Sequence, residues 1–69
     1  MLDEVFIKRI TDLAMATYTS RNEGRPGISK ADAIEAVMYY GGNMDDVMAV
    51  MTEGAKRILP ESALKHIEF

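Results

Sequence analysis

Two glycine-containing breaks divide the sequence into segments of helical periodicity. The first break, residues 21–28 (R-N-E-G-R-P-G-I), holds two glycines and a proline within eight residues, so no continuous helix or strand is expected there. The second break is Gly41-Gly42-Asn43. Around them, apolar residues recur at spacings of three and four. The sequence therefore predicts an all-α fold in a single helical domain, residues 1–69.

The expected architecture is a compact three-helix arrangement with a short C-terminal fourth helix. The predicted helices cover residues about 2–20, 30–40, 44–58 and 61–67, with a loop at 21–28. Ser29 and Asn43 stand before the second and third helices, and both residue types accept hydrogen bonds from the free amides of a first turn. Gly41 stands where a left-handed residue ends a helix. Pro60 stops the third helix and can open the fourth.

The apolar arc of the first predicted helix is wider than one packed face needs. It spans about 220°, whereas a core-facing stripe requires about 100°. A chain of 69 residues without cysteine has no disulfide or thiolate metal site to supplement a small core. We therefore predict a homodimer that covers the surplus apolar surface. The second helix is expected to bury Ile34, Val37 and Met38. The residues assigned to the core or the dimer interface are Phe6, Ile10, Leu13, Val47, Met48 and Met51.

The sequence carries no arrangement of residues typical of catalysis or metal binding. No nucleophile–base pair is visible, and the single histidine, His66, lies among the last four residues. Asp45 and Asp46 are adjacent and fit the first turn of a helix, where its dipole favours negative charge. The segment from Gly24 to Lys30 lacks the spacing of a phosphate-binding P-loop. We predict that the protein is not an enzyme and has no cofactor and no metal.

The charge distribution disfavours nucleic acid as a direct partner. The net charge is −3, and residues 31–53 contain five acidic residues and no basic one. A helix-turn-helix interpretation of the second and third helices would present Asp45 and Asp46 to a polyanion. The basic pairs Lys8-Arg9 and Lys56-Arg57 keep open one alternative, a small helical dimer associated with nucleic acid.

Methionine and tyrosine give the strongest indication of an interaction surface. There are six methionines, and those on the third helix either fill the core or form an adaptable contact surface. Two consecutive tyrosines, Tyr39 and Tyr40, cannot both point into a small core, so at least one is expected at the surface. The candidate partner-binding residues are Tyr39, Tyr40, Met44, Arg21, Arg25 and Leu59.

The segment from Ile28 to Met51 resembles the second and third helices of ubiquitin-associated (UBA-like) domains. The matching positions are Ala33, Ile34, Ala36, Gly42, Asn43, Val47 and Met51. Pro26-Gly27-Ile28 stands where that family has its ubiquitin-contacting Met-Gly-Phe/Tyr loop. The resemblance implies a compact helix–turn–helix packing and, as an alternative function, a UBA-like adaptor.

In length, acidity, absence of cysteine and helical make-up, the chain also resembles small phage-encoded anti-activators that block quorum-sensing regulators. This resemblance implies a non-enzymatic module that docks on a larger protein, such as a bacterial transcription regulator of the host, and inhibits it. No apolar run approaches the ~18 residues of a membrane span, and Asp3 and Glu4 do not fit a signal peptide. We therefore expect no membrane association and a location in the cytoplasm, that of the host cell if the chain is phage-encoded.

Overall fold

The computed structural model describes residues 2–58 and 66–69. Three helices pack against one another, and two strands of two residues each pair at one side. The elements are α1 (Glu4–Arg21), β1 (Ile28–Ser29), α2 (Lys30–Tyr39), α3 (Met44–Arg57) and β2 (Ile67–Glu68). The predominantly helical architecture predicted from the sequence is confirmed.

The C-terminal residues differ from the prediction. Ile67 was predicted to lie in a fourth helix, but it belongs to β2 and pairs in parallel with Ile28 of β1. This pairing joins residues far apart in the chain, so a local apolar pattern cannot indicate it. Of the rest of the predicted fourth helix, His66 has a helical conformation, and residues 61–65 lie outside the described residues. The predicted loop 21–28 is also shorter, because Arg21 ends α1 and Ile28 begins β1.

Each helix begins at a side-chain cap. Asp3 accepts a hydrogen bond from the amide of Phe6 at the start of α1. Ser29 accepts one from the amide of Asp32, and Asn43 forms a reciprocal capping box with Asp46. Such caps satisfy amides that have no partner inside the helix. The caps therefore fix where α2 and α3 begin.

The buried face of α1 is turned by about 100°, one residue's rotation, from the predicted stripe. The buried residues of α1 are Ile7, Ile10, Thr11, Ala14 and Tyr18. Phe6 and Leu13, assigned to the core or a dimer, are 42% and 44% exposed. The arc of α1 was wide enough to fit two faces, and the packing of α2, α3 and β1 selected the face that contains the small Ala14. Phe6 and Leu13 are therefore not core residues of this chain.

Two methionines are also exposed, which for Met38 contradicts the prediction and for Met48 excludes only the core alternative. Met38, expected to be buried, is 50% exposed, and Met48, assigned to the core or a dimer, is 57% exposed. Both lie on exposed helix faces, whereas Ile10, Val37 and Val47 are among the fully buried residues of the core. The predicted core stripe of α3 is thus narrower, with Met51 buried and Met48 at the surface.

Asp46 connects the cap of α3 with the start of the chain. Its side chain is fully buried and accepts hydrogen bonds from the amides of Asn43 and Leu2, each 2.9 Å long. The bond from Asn43 lowers the pKa of Asp46 most, and the bond from Leu2 adds to this, while burial acts in the opposite direction. The carboxylate therefore holds the turn between α2 and α3 against the residues before α1.

Candidate interaction surface

Three exposed aromatic side chains lie together near the start of α1 and the end of α2. The ring centroids of Phe6 and Tyr40 are 6.3 Å apart, and those of Tyr39 and Tyr40 are 5.2 Å apart in an edge-on arrangement. These distances fall within the range of favourable aromatic pairs, about 4.5–7 Å. Tyr39 is 83% exposed, and Phe6 and Tyr40 are each more than 40% exposed. We call these three residues the aromatic cluster.

The turn after α2 places both tyrosines at the surface. Gly41 has a positive φ of 76°, and its amide donates to the carbonyl of Met38. The amide of Gly42 donates to the carbonyl of Val37, which completes the glycine-based helix ending known as a Schellman motif. A Cβ on Gly42 would lie 2.7 Å from Cγ1 of Val37, so the close approach requires glycine. Since this turn fixes the end of α2, it also fixes where Tyr40 stands.

Beside the aromatic cluster, a groove of about 490 Å³ runs between α1 and α2. Its lining residues are Leu13, Thr17, Asp32, Glu35, Ala36, Met38 and Tyr39. Leu13 and Met38 are 44% and 50% exposed, so the groove is open to solvent along its walls. We call it the α1–α2 groove. Its volume is within the range of about 300–1,000 Å³ typical of ligand sites. Because its walls are open to solvent, the groove suits contact with the side chains of another protein better than the enclosure of a small molecule.

The acidic residues of the groove differ in their surroundings. Asp32 is buried, and one of its oxygens forms an ion pair with Arg21 and accepts a hydrogen bond of 2.9 Å from the hydroxyl of Ser29. The guanidinium of Arg21 also lies 5.9 Å from the ring centroid of Tyr18. Glu35 is exposed and, within residues 2–58 and 66–69, takes part in no ion pair. Glu35 is therefore the uncompensated charge of the groove.

A second depression, between α1 and α3, has a different character. Its volume is about 350 Å³, and its lining includes the charged side chains of Glu4, Glu53 and Lys56. Lys56 brings a basic group beside the two acids, so the charge of this depression is mixed. In the α1–α2 groove, in contrast, large apolar side chains are exposed, and the charged lining residues are all acidic. Of these two surfaces, the groove is therefore the more apolar and the one with charge of a single sign.

The predicted partner-binding residues are distributed over several parts of the surface. Tyr39 and Tyr40 lie together in the aromatic cluster, and both are exposed, whereas the sequence required this of only one. Met44 is 48% exposed, and Arg25 is exposed in the loop before β1. Arg21 is engaged with Asp32, as described above. Leu59 lies outside the described residues.

The sequence reasoning missed part of this surface. Phe6 and Leu13 were assigned to the core or a dimer, and Met38 to the core, although all three belong to the aromatic cluster or the groove. For Phe6 and Leu13, the one sequence signal was the excess width of the apolar arc on α1. Glu35 gave no signal, because an isolated acid on a helix is ordinarily solvated.

Within the described residues, no group of three or more potential ligand side chains could hold a metal ion, and no helix is both long and apolar enough to cross a membrane. Every buried side-chain nitrogen or oxygen in this part of the chain has a hydrogen-bond partner. Comparisons of the chain with protein-family models, with curated proteins and with solved structures find no match.

Proposed function

We propose that the chain is a non-enzymatic protein-binding module that docks on a larger protein and modulates it. The observation that carries this proposal is the adjacency of large exposed apolar side chains on two helices: Phe6, Leu13, Met38, Tyr39 and Tyr40. Contiguous exposed apolar surface commonly marks protein interaction sites. Tyrosine is among the residues that contribute most to binding energy when an interface buries them.

In its most concrete form, the proposal is an inhibitor of a bacterial host regulator, of the phage anti-activator type, acting in the host cytoplasm. Its support is the resemblance in size, charge and helical make-up, together with the exposed surface. Met44, Arg21, Arg25 and Leu59 remain candidate contacts in addition to the aromatic cluster. Homodimer formation is a companion proposal, supported by exposed Met48 on α3, and sedimentation of the purified chain tests it.

A UBA-like adaptor is a second candidate, favoured by the tight Gly41-Gly42-Asn43 connection between α2 and α3. Ile28 is fully buried, so ubiquitin contact would have to use another surface than the position of the family's contacting loop. Titrating ubiquitin into labelled protein and following the amide signals of the exposed residues tests this candidate. Shifts that stay within noise at equimolar ubiquitin would eliminate it.

A comparative pull-down tests the leading proposal. Immobilised wild-type chain, a Tyr39→Ala/Tyr40→Ala double variant and a Phe69→Ala control are exposed to the same bacterial lysate. Phe69 is a suitable control because it is an aromatic residue that is 89% exposed and does not line the groove. We expect a protein retained by the wild type and the control and lost with the tyrosine variant.

Purified complexes then give the magnitude. Tyr39→Ala alone should weaken binding by about 1–3 kcal/mol. It should change the free energy of unfolding by less than ~0.5 kcal/mol, because the side chain is largely exposed. The proposal fails if every protein retained by the wild type is retained equally by the double variant while circular dichroism shows both folded.

A further inference from the structure

The charge in the α1–α2 groove restricts what can occupy it. Two of its lining residues, Asp32 and Glu35, are charged, and both are acidic. The carboxylate of Asp32 is already matched by Arg21 and by the hydroxyl of Ser29. Glu35 stands exposed on α2 without an ion pair in the part of the chain that the structure describes. An occupant that covers the groove must therefore place a basic group beside the carboxylate of Glu35. Without such a group, the carboxylate would lose water without gaining a partner, which is costly.

The apolar part of the groove fits a helix. Leu13 on α1 faces Met38 and Tyr39 on α2 across a floor that contains Ala36, which is 6% exposed. The ten residues of α2 extend about 15 Å, close to three helical turns. A docked helix of that length presents apolar anchors at positions i, i+3 or i+4, and i+7 along one face. Apolar contacts for such a helix come from Leu13, Ala36, Met38 and Tyr39 in the groove, and from Tyr40 and Phe6 beside it.

We propose that the α1–α2 groove receives an amphipathic helix of the partner protein, and that this helix carries a lysine or arginine which pairs with Glu35. The inference rests on the proposed protein-binding function and adds the chemistry of the partner. A second copy of the chain fits less well. In a two-fold symmetric contact the groove would meet itself, bringing two Glu35 carboxylates together with no basic lining residue between them.

A peptide selection tests this occupant. The probe is a displayed library of helical peptides of about 15 residues with leucines at i, i+4 and i+7 and all other positions randomised. Binders to the wild-type chain are counter-selected against a Leu13→Ser/Tyr39→Ser variant, so that only peptides dependent on the groove remain. We expect these peptides to be enriched in lysine or arginine at one fixed position beside the leucines.

Charge variants of the chain then locate the cation. Glu35→Gln should weaken the selected peptides about threefold and Glu35→Lys about tenfold, mostly through slower association and less so at high salt. Glu23→Lys is the matched control, because it makes the same change of net charge in an exposed loop residue that does not line the groove. The control should bind like the wild type.

Several results would overturn the inference. Groove-dependent peptides without a preference for basic residues, or equal binding to Glu35→Lys, would show that the charge does not select the occupant. If peptides bind the groove of the wild-type chain only when a dimer dissociates, the occupant of the groove is a second copy of the chain. A selection without groove-dependent peptides would also remove the inference. The broader function would still stand in that case, if the pull-down yields a protein lost with the tyrosine variant.

Discussion

Replacing Gly54 with alanine tests how closely α3 packs on β1. A Cβ at this position would lie 2.6 Å from Cδ1 of Ile28 and 3.0 Å from its Cγ2, whereas carbon atoms pack favourably at about 3.5–4.0 Å. Ile28 is fully buried and Gly54 lies inside α3, so the added methyl group has no free space. The substitution therefore adds a steric clash, which opposes the gain in helix propensity from replacing glycine with alanine.

The expected magnitude follows from those two effects. Alanine in place of glycine inside a helix stabilises by about 1 kcal/mol, and overpacking a filled core costs about 1–3 kcal/mol. Gly54→Ala should therefore destabilise by about 1 kcal/mol, which lowers the melting temperature by roughly 4–8 °C in a domain of this size. Ile28→Val alone should cost about 0.5–1.5 kcal/mol. In the Ile28→Val background the nearest colliding atom is absent, and Gly54→Ala should become neutral or stabilising.

Urea unfolding followed by far-ultraviolet circular dichroism measures all four members of this double-mutant cycle. Ala16→Gly, at an exposed position within α1, gives the helix-propensity difference in this protein. We expect a coupling free energy of at least ~1 kcal/mol between Gly54 and Ile28. If Gly54→Ala stabilises the wild type as much as propensity alone dictates, with no coupling to Ile28, the close contact between α3 and β1 is refuted.

Three further predictions concern ionisation and the turn after α2. The folded-state pKa of Asp46 lies below its ordinary 3.8, so the stability that its carboxylate contributes is present above pH 3.8 and is lost as the pH falls through the folded value. In Asp46→Asn, the midpoint of urea unfolding should therefore depend less on pH in the acid range than in the wild type. Burial and then Glu68 raise the pKa of Tyr18 above 10.0, so stability should fall as the pH rises through the folded value. Glu68→Gln should lower the pKa of Tyr18. Tyrosinate absorbance measures this pKa once the other two tyrosines are replaced by phenylalanine, and an unchanged titration would contradict the contact between Glu68 and Tyr18. Gly41→Ala should destabilise by about 1 kcal/mol in thermal unfolding because its φ is positive, and a stabilised variant would exclude that conformation.

The helix ends were the most predictable part of the fold. Ser29 and Asn43 act within three residues of their own positions, and Gly41 adopts its left-handed conformation because of the turn it makes. Such interactions are local, so their residue types indicate them directly. Asp46 shows where local reasoning ends. Its role in the first turn of α3 was expected, but its bond to the amide of Leu2 joins residues 44 positions apart in the chain.

The orientation of α1 and the β1–β2 pair could not be predicted, because both depend on distant residues. Leu13 and Ala14 are neighbours in an apolar run, and only the packing of the other elements decides that Ala14 is buried and Leu13 lies in the groove. Ile67 fits a helical pattern in the sequence, and only its pairing with the distant Ile28 places it in a strand. For the candidate site, the two tyrosines could be predicted from their adjacency, whereas Glu35 gains its significance only from the groove beside it.

The most direct test of docking through the aromatic cluster and the groove is a hydrogen-exchange comparison of the free chain with the chain bound to the protein that the pull-down identifies. We predict slower exchange on binding at amides near Leu13 on α1 and from Met38 to Tyr40 at the end of α2, with the exposed face of α3 around Met48 unchanged. Protection confined to α3, with both walls of the groove exchanging as in the free chain, would contradict the proposal.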